Sequence, residues 1–302
     1  MKAKTISRSG LILGGFLFLG QLALAQQPEA EPEATAGVKS DEPTFSYQSG
    51  EIELPNKVAT LRLGGSYRYL NPAETEKLLV AWGNQPGNET QGAIVAKEVD
   101  PMSEQGWAVI LTYTDDGHVD DSEAAKIDYD DLLADMKKGT EETNAERKKA
   151  GYTGVHLVGW AEKPHYDSVS NKLYWAKELD FEGSNHHELN YCVRLLGRDG
   201  VLQMNAVSGI GKLAQIRSDM QSMIRVAEFN SGHRYADYNS KTDRLAEYGL
   251  GALIAGGVAA KLGLFAKLGV ILAASWKFLM MGLVALGGFL SRLFGKKKDA
   301  AT

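Results

Sequence analysis

The chain has 302 residues, with 33 Lys and Arg against 38 Asp and Glu and a formal net charge of −5. Residues 41–247 carry 22 basic and 34 acidic side chains, whereas 248–302 carry seven basic and one acidic. An acidic body lacks the clustered basic face that nucleic acid requires, and a lone cysteine, Cys192, excludes a disulfide framework within one chain.

Lys2, Lys4 and Arg8 precede an apolar run at 11–19, and Ala23-Leu24-Ala25 stands before Gln26. A basic start, a short apolar core and small residues at the −3 and −1 positions predict a signal peptide over 1–25. No cysteine follows the apolar run, which argues against lipoprotein processing. Residues 26–44 hold Pro28, Pro32 and Pro43 among Glu and Ala without apolar periodicity, so they read as a disordered leader.

Between 45 and 247 lies enough chain for one sizeable core, expected as a periplasmic domain. A strand is predicted over 58–63, then a helix from the Asn71 cap through Pro72 to Trp82. Apolar, β-branched runs at 91–99 and 106–114 suggest an antiparallel pair. Residues 121–150 read as one long helix burying Ile127, Leu132, Leu133 and Met136, with a solvated second half over 139–149. Strands follow at 155–160, 172–178, 189–196 and 201–207, with Arg198-Asp199-Gly200 as a tight turn. Leu213, Ile216, Met220, Met223 and Ala227 then predict a helix over 210–229. Strands cluster before helices rather than alternating with them, which implies an α+β fold with a mainly antiparallel sheet and packed helices.

Several stretches invite a chemical reading. Residues 115–121 hold four aspartates but lack the alternating oxygen spacing and distal acid of a calcium loop, so a charged turn leading into a helix cap is the simpler reading. His186-His187-Glu188 lacks zinc spacing, because neighbouring side chains on an extended segment point apart. No cofactor-binding or metal-binding motif is expected. Cys192, inside the apolar run 189–196, reads as a small buried hydrophobe. Trp160, Tyr166 and Trp175 lie in an aromatic-rich hairpin with a Pro/Asp turn at 164–167, either a binding face or ordinary core. Asn190, Arg194 and Arg198 recur every fourth residue along a strand and would share one face, a conceivable anion site or a set of salt bridges with the acidic body.

Residues 248–295 are mostly apolar and stop at Lys296, Lys297 and Lys298, at the head of a basic tail over 296–302. The eleven Leu, Ile, Val and Phe residues of 268–290 favour insertion by roughly 3–6 kcal/mol, against about 2.5–3.5 kcal/mol for Lys277. A transmembrane helix is therefore expected there, with the domain outside and the lysine cluster in the cytoplasm. Residues 249–263 are too short to cross and read as an interfacial or partly inserted helix. Gly251, Ala255, Ala259 and Gly263 would form one smooth helical stripe suited to close packing in lipid.

The succession Gly159-Trp160, Pro164-His165-Tyr166-Asp167, Leu189-Asn190-Tyr191, Arg194-Leu195-Leu196-Gly197-Arg198-Asp199-Gly200-Val201-Leu202, Gly232-His233-Arg234-Tyr235 and Tyr248-Gly249-Leu250 resembles the bacterial domain-of-unknown-function family 2167, described as predicted membrane-anchored proteins. The Leu-Asn-Tyr and Leu-Gly-Arg stretches are its most specific part, and it covers about 50–294. It implies a fold unit and an anchor and transfers no catalytic residue.

The sequence thus points to an inner-membrane, single-pass envelope protein that works without chemistry through the membrane, self-association or another envelope protein. A membrane-tethered hydrolase is the first alternative, with His165 or His233 beside Asp167 or Asp237. The second is a lipid- or small-ligand-binding module with an apolar pocket beside Trp160 and Trp175.

Overall fold

The computed structural model describes residues 43–256 except 85, 104, 105 and 150. The expected signal peptide, the leader up to 42, the span at 268–290 with Lys277, and the basic tail lie outside the described residues.

Among the described residues ten strands form two antiparallel sheets. The smaller joins β1 (Glu51–Glu53), β2 (Ala59–Arg62) and β10 (Ala227–Phe229) in the order β1-β2-β10. The larger contains β3 (Tyr67–Leu70), β4 (Gly92–Ala96), β5 (Ala108–Thr114), β6 (Val155–Asp167), β7 (Lys172–Phe181), β8 (Glu188–Leu196) and β9 (Val201–Gly209). Their order is β3-β4-β5-β9-β8-β7-β6. Helices α1 (Pro72–Ala81), α2 (Tyr129–Lys149), α3 (Leu213–Met223) and α4 (Leu250–Ala255) complete an α+β body.

Because side chains alternate across a strand, β8 serves two cores at once. Leu189, Tyr191, Val193 and Leu195 pack with Ile216, Met220 and Met223 of α3 and with the small sheet. Cys192 and Leu196 face the other way, toward Met136 of α2 and Leu250, Leu253 and Ile254 of α4. A third cluster sets Leu78 and Leu79 of α1 against Ala93, Val95, Ala108 and Ile110. Leu250 and Ile254 are buried in the common core, so the folded body continues past the boundary expected at 247.

Local chemistry explains where the elements begin and where expectation fails. Asn71 caps α1 by accepting from Glu74 N at 2.9 Å, and Pro72 follows it at the first helical position. The single helix expected over 121–150 is broken. A short 3-10 turn at Ala124–Lys126 follows the Asp120 cap on Ser122 N, and Asp128 then accepts from Asp130 N and Asp131 N to start α2. The helix expected over 210–229 stops at Met223, because Ala227 and Phe229 pair with Leu61 and Ala59 of β2. Tertiary pairing overrides an apolar period that a helix would also satisfy.

The hairpin turn is not at Pro164. Strand β6 runs through it to Asp167, and Asp167 caps the turn by accepting from Val169 N (2.9 Å) and Ser170 Oγ (2.6 Å). Proline is tolerated because β6 is an edge strand, and its register against β7 shifts three times. Those irregularities, with exposed Lys163, blunt the edge against further strand pairing.

The second half of α2 is not wholly solvated. Asn144 is 8% exposed and accepts from Val155 N (2.9 Å) while donating to Val155 O (2.9 Å), so one side chain supplies what a neighbouring strand would have. Asn144→Ala leaves both backbone groups buried without a partner and should cost about 1–3 kcal/mol. Urea denaturation should show a lower midpoint at unchanged slope, and an unchanged midpoint would contradict the role.

Candidate functional site

The β8–β9 turn, the 230–246 segment and the 115–121 segment meet at one corner of the large sheet. Gly197 N donates to Gly200 O at 2.8 Å and closes the turn. A side chain at Gly200 would put its Cβ 2.0 Å from Thr114 O, which explains glycine there. Arg198 leaves the strand at this turn, so it does not share a face with Asn190 and Arg194 as its spacing suggested. It donates from Nε to Asp243 Oδ2 (2.7 Å) and from Nη2 to Asp243 Oδ1 (2.8 Å), a bidentate pair. Its Nη1 reaches Gly232 O, and its backbone N reaches His233 O at 2.9 Å. This pairing, with the Asn239 amide and the Thr242 hydroxyl, holds the Asp243 carboxyl well below the usual range.

The 115–121 segment is pinned from both sides. Gly117 N donates to Asp199 O (2.9 Å), and His118 N donates to Arg244 O (2.8 Å). Gly117 sits at φ 101 with Arg244 O 2.7 Å from where a Cβ would stand, so no other residue suits it. The aspartates here serve as anchors. Asp115 binds Arg244, Asp116 accepts from Tyr248 Oη at 2.7 Å, Asp120 caps Ser122, and Asp121 accepts from Tyr166 Oη at 2.6 Å. His118 is 6% exposed and stacks on Tyr238 (ring centres 3.8 Å, planes 7° apart) and Tyr235 (4.2 Å). Its Nδ1 is buried without a hydrogen-bond partner, and burial pushes the imidazole pKa down.

These contacts shape an open cleft of about 570 Å³ lined by Asn56, Val58, Tyr113, Asp115, Gly117, Asp199, His233 and Arg244. His233 Nδ1 lies 3.5 Å from Asp199 Oδ2. Burial pushes the Tyr113 hydroxyl up to about 12, so it stays protonated and able to donate. The cleft therefore presents acid, base, amide and hydroxyl together, an arrangement suited to hydrogen-bonding a polar chain.

The expected catalytic pairings are corrected by this geometry. Asp237 accepts from Gly232 N and Arg234 N and so caps its own turn, while the acid beside His233 is Asp199. Asp167 is likewise spent on a turn, and His165 is exposed at the sheet edge, its ring 5.0 Å from Tyr174. His186 and His187 point to different acids, Glu188 at 3.0 Å and Glu178 at 2.6 Å.

The aromatic hairpin does not present its indoles outward. Trp175 is 1% exposed, and Trp160 packs against the same core with Nε1 donating to Tyr129 O at 3.1 Å. Asn190 and Arg194 are buried on the α4 side of β8, and Cys192 lies between them, donating to Asn190 Oδ1. Gly251 and Ala255 are partly buried in α4, which ends before Gly256 at φ 76. Ala259 and Gly263 lie outside the described residues. The cleft residues Asn56, Tyr113 and Arg244 gave no sequence signal. Asp199 and the 115–118 run were visible only as turn chemistry.

The chain belongs to the family of proteins of unknown function DUF2167, whose model matches residues 46–287. No curated protein matches it. The cyanobacterial PsbP protein (CyanoP) of Synechocystis sp. PCC 6803 is 8% identical, with 64% of this chain and 98% of that one covered at a TM-score of 0.33. The Ran-binding protein Mog1p of Saccharomyces cerevisiae is 9% identical, with 61% and 96% covered at a TM-score of 0.33. Likeness at that level carries no functional weight.

The depressed His118 pKa fixes the sign of one pH effect. Below the ordinary value of 6.5 the unfolded chain takes up the proton first, so stability is lost as pH falls from there through the folded pKa. His118→Phe keeps the stack and removes the titration. The variant should gain on the wild type as pH falls from about 7.5 to about 5 in urea denaturation, and a constant gap would refute the assignment.

Proposed function

We propose that this DUF2167 member is a membrane-anchored envelope protein whose domain acts without chemistry, binding another envelope protein or a second copy through the His233–Asp199 cleft. The observation that carries the reading is convergence. The Leu-Gly-Arg-Asp-Gly turn and the Gly-His-Arg-Tyr run, which carry part of the family resemblance, meet around this cleft, and Tyr248 is tied to its wall through Asp116. A signal peptide over 1–25 and one span at 268–290, with the lysine cluster inside, support the location. The cleft's mixed charges suit a polar polypeptide surface, where complementarity sets partner choice more than raw affinity.

The proximity of His233 to Asp199 favours a second reading, a membrane-tethered hydrolase in which His233 takes a proton beside the Asp199 carboxylate, 3.5 Å from its Nδ1. The two readings diverge under mutation. Binding depends on the whole cleft, whereas hydrolysis collapses when His233 alone is changed.

Photocrosslinking in intact envelopes tests the first reading. A probe at Asn56 on the cleft should give one discrete adduct, and a probe at exposed Glu146 on α2 should give none. Equal labelling from both positions, or none from Asn56, would refute it. Alkaline washing should leave the mature protein in the membrane pellet, and its release would remove the anchor.

A further inference from the structure

The sheet face that carries α4 is apolar at both ends and cationic in the middle. Lys177 stands opposite Asn190, Trp175 opposite Cys192, and Cys192 opposite Asn205, so these side chains share that face. Arg194, two residues beyond Cys192, is 8% exposed; its Nη1 donates to Asn205 Oδ1 (3.0 Å) and Val193 O (2.9 Å), and its guanidinium lies 5.0 Å from the Trp175 ring centre.

This cluster is rich in donors and poor in acceptors. Among the described residues no carboxylate forms an ion pair with Lys177 or Arg194. Glu188, on the same face of β8, is engaged by His186 through Oε1 at 3.0 Å, while its Oε2 is buried without a hydrogen bond among the described residues, and it forms no ion pair with either cation. From Tyr248 to the end of the chain the only acid is Asp299. Among the described residues Trp175 Nε1, buried, has no hydrogen-bond partner and is a third donor. Burial lowers the pKa of both cations; the neighbouring Cys192 opposes the shift in each, and the Arg194 charge adds to it at Lys177. Two desolvated positive charges with no carboxylate partner among the described residues are costly, and an anion among them would relieve that cost.

We propose that Lys177, Arg194 and the indole N–H of Trp175 form a binding site for a phosphate oxyanion, free or carried on a lipid headgroup. The guanidinium offers a planar fork and the ammonium a mobile point charge, and together they match the spread negative charge of a tetrahedral oxyanion. Lys177 keeps part of its surface open, which provides the entrance. None of the three lines the His233–Asp199 cleft, so this site stands or falls independently of it.

The test uses the full-length protein in detergent, in phosphate-free buffer, titrated with inorganic phosphate and followed by tryptophan emission and Tm. The wild type should show a saturable emission change and a rise in Tm as binding stabilises the folded state. Lys177→Met and Arg194→Met should each weaken binding by about tenfold or more, while His233→Ala binds as the wild type does. Lys177→Met should also melt higher than the wild type without phosphate, since it removes a buried unpaired charge. Reconstitution into phosphatidylcholine vesicles with and without phosphatidylglycerol identifies the source. Stabilisation confined to the phosphatidylglycerol vesicles assigns the headgroup, and a response to inorganic phosphate in both assigns the free ion. No saturable response to either probe, or undiminished binding by both variants, would overturn the site.

Discussion

The corner of the sheet depends on one bidentate ion pair, Arg198 with Asp243. Arg198 sits just past the end of β8, and Asp243 belongs to a segment 45 residues further along that has no regular structure of its own. The guanidinium also takes Gly232 O, so one side chain fixes the spacing of three backbone stretches. Only a planar fork can do this, because an ammonium cannot satisfy both carboxylate oxygens in parallel while reaching a carbonyl. With Asp243 held, Arg244 reaches Asp115 and its carbonyl receives His118, which places the wall of the cleft. The fold supplies the platform, and this pair arranges what stands on it.

The central sheet was legible from the chain because its strands are β-branched, short and punctuated by turn residues. The pairs at 91–99 with 106–114 and at 189–196 with 201–207 follow from alternation and from the Arg-Asp-Gly turn alone. The Asn71-Pro72 cap was equally plain, since its chemistry is local. Strands β1, β3 and β10 escaped notice because each has only three or four residues and is defined by its partner. The buried role of Asn144 was invisible for a similar reason. A polar residue in a polar helical stretch looks solvated until the edge of β6 is set beside it. The cleft lay further out of reach, because its contacts join residues such as Tyr248 and Asp116, 132 positions apart. Sequence spacing carries no information at that distance.

The large sheet divides its labour between faces. The α3 side is continuous apolar core, with Tyr191, Val193, Met204 and Ile216 fully enclosed. The opposite side has apolar clusters under α1 and under α2 with α4, separated by Arg194, Asn190, Asn205 and Lys177. A sequence optimised for stability alone would fill that strip with Val or Ile, since replacing buried charge by well-packed apolar side chains is often neutral or favourable. Natural chains retain such features where function exacts them. The same reasoning applies to the buried, unpartnered Nδ1 of His118, held in a tyrosine stack at the margin of the cleft.

Helix α4 gives the domain's far end a mechanical character. Leu250, Leu253 and Ile254 are wedged into the core beneath the sheet and against α2, and Tyr248 is hydrogen-bonded just before them. The described chain is thus clamped to the body up to its last residues. Tension or twist entering the chain after Gly256 would be delivered directly to the packing around Trp175 and Met136. A pull applied to the chain at Gly256 would therefore be felt in the sheet itself.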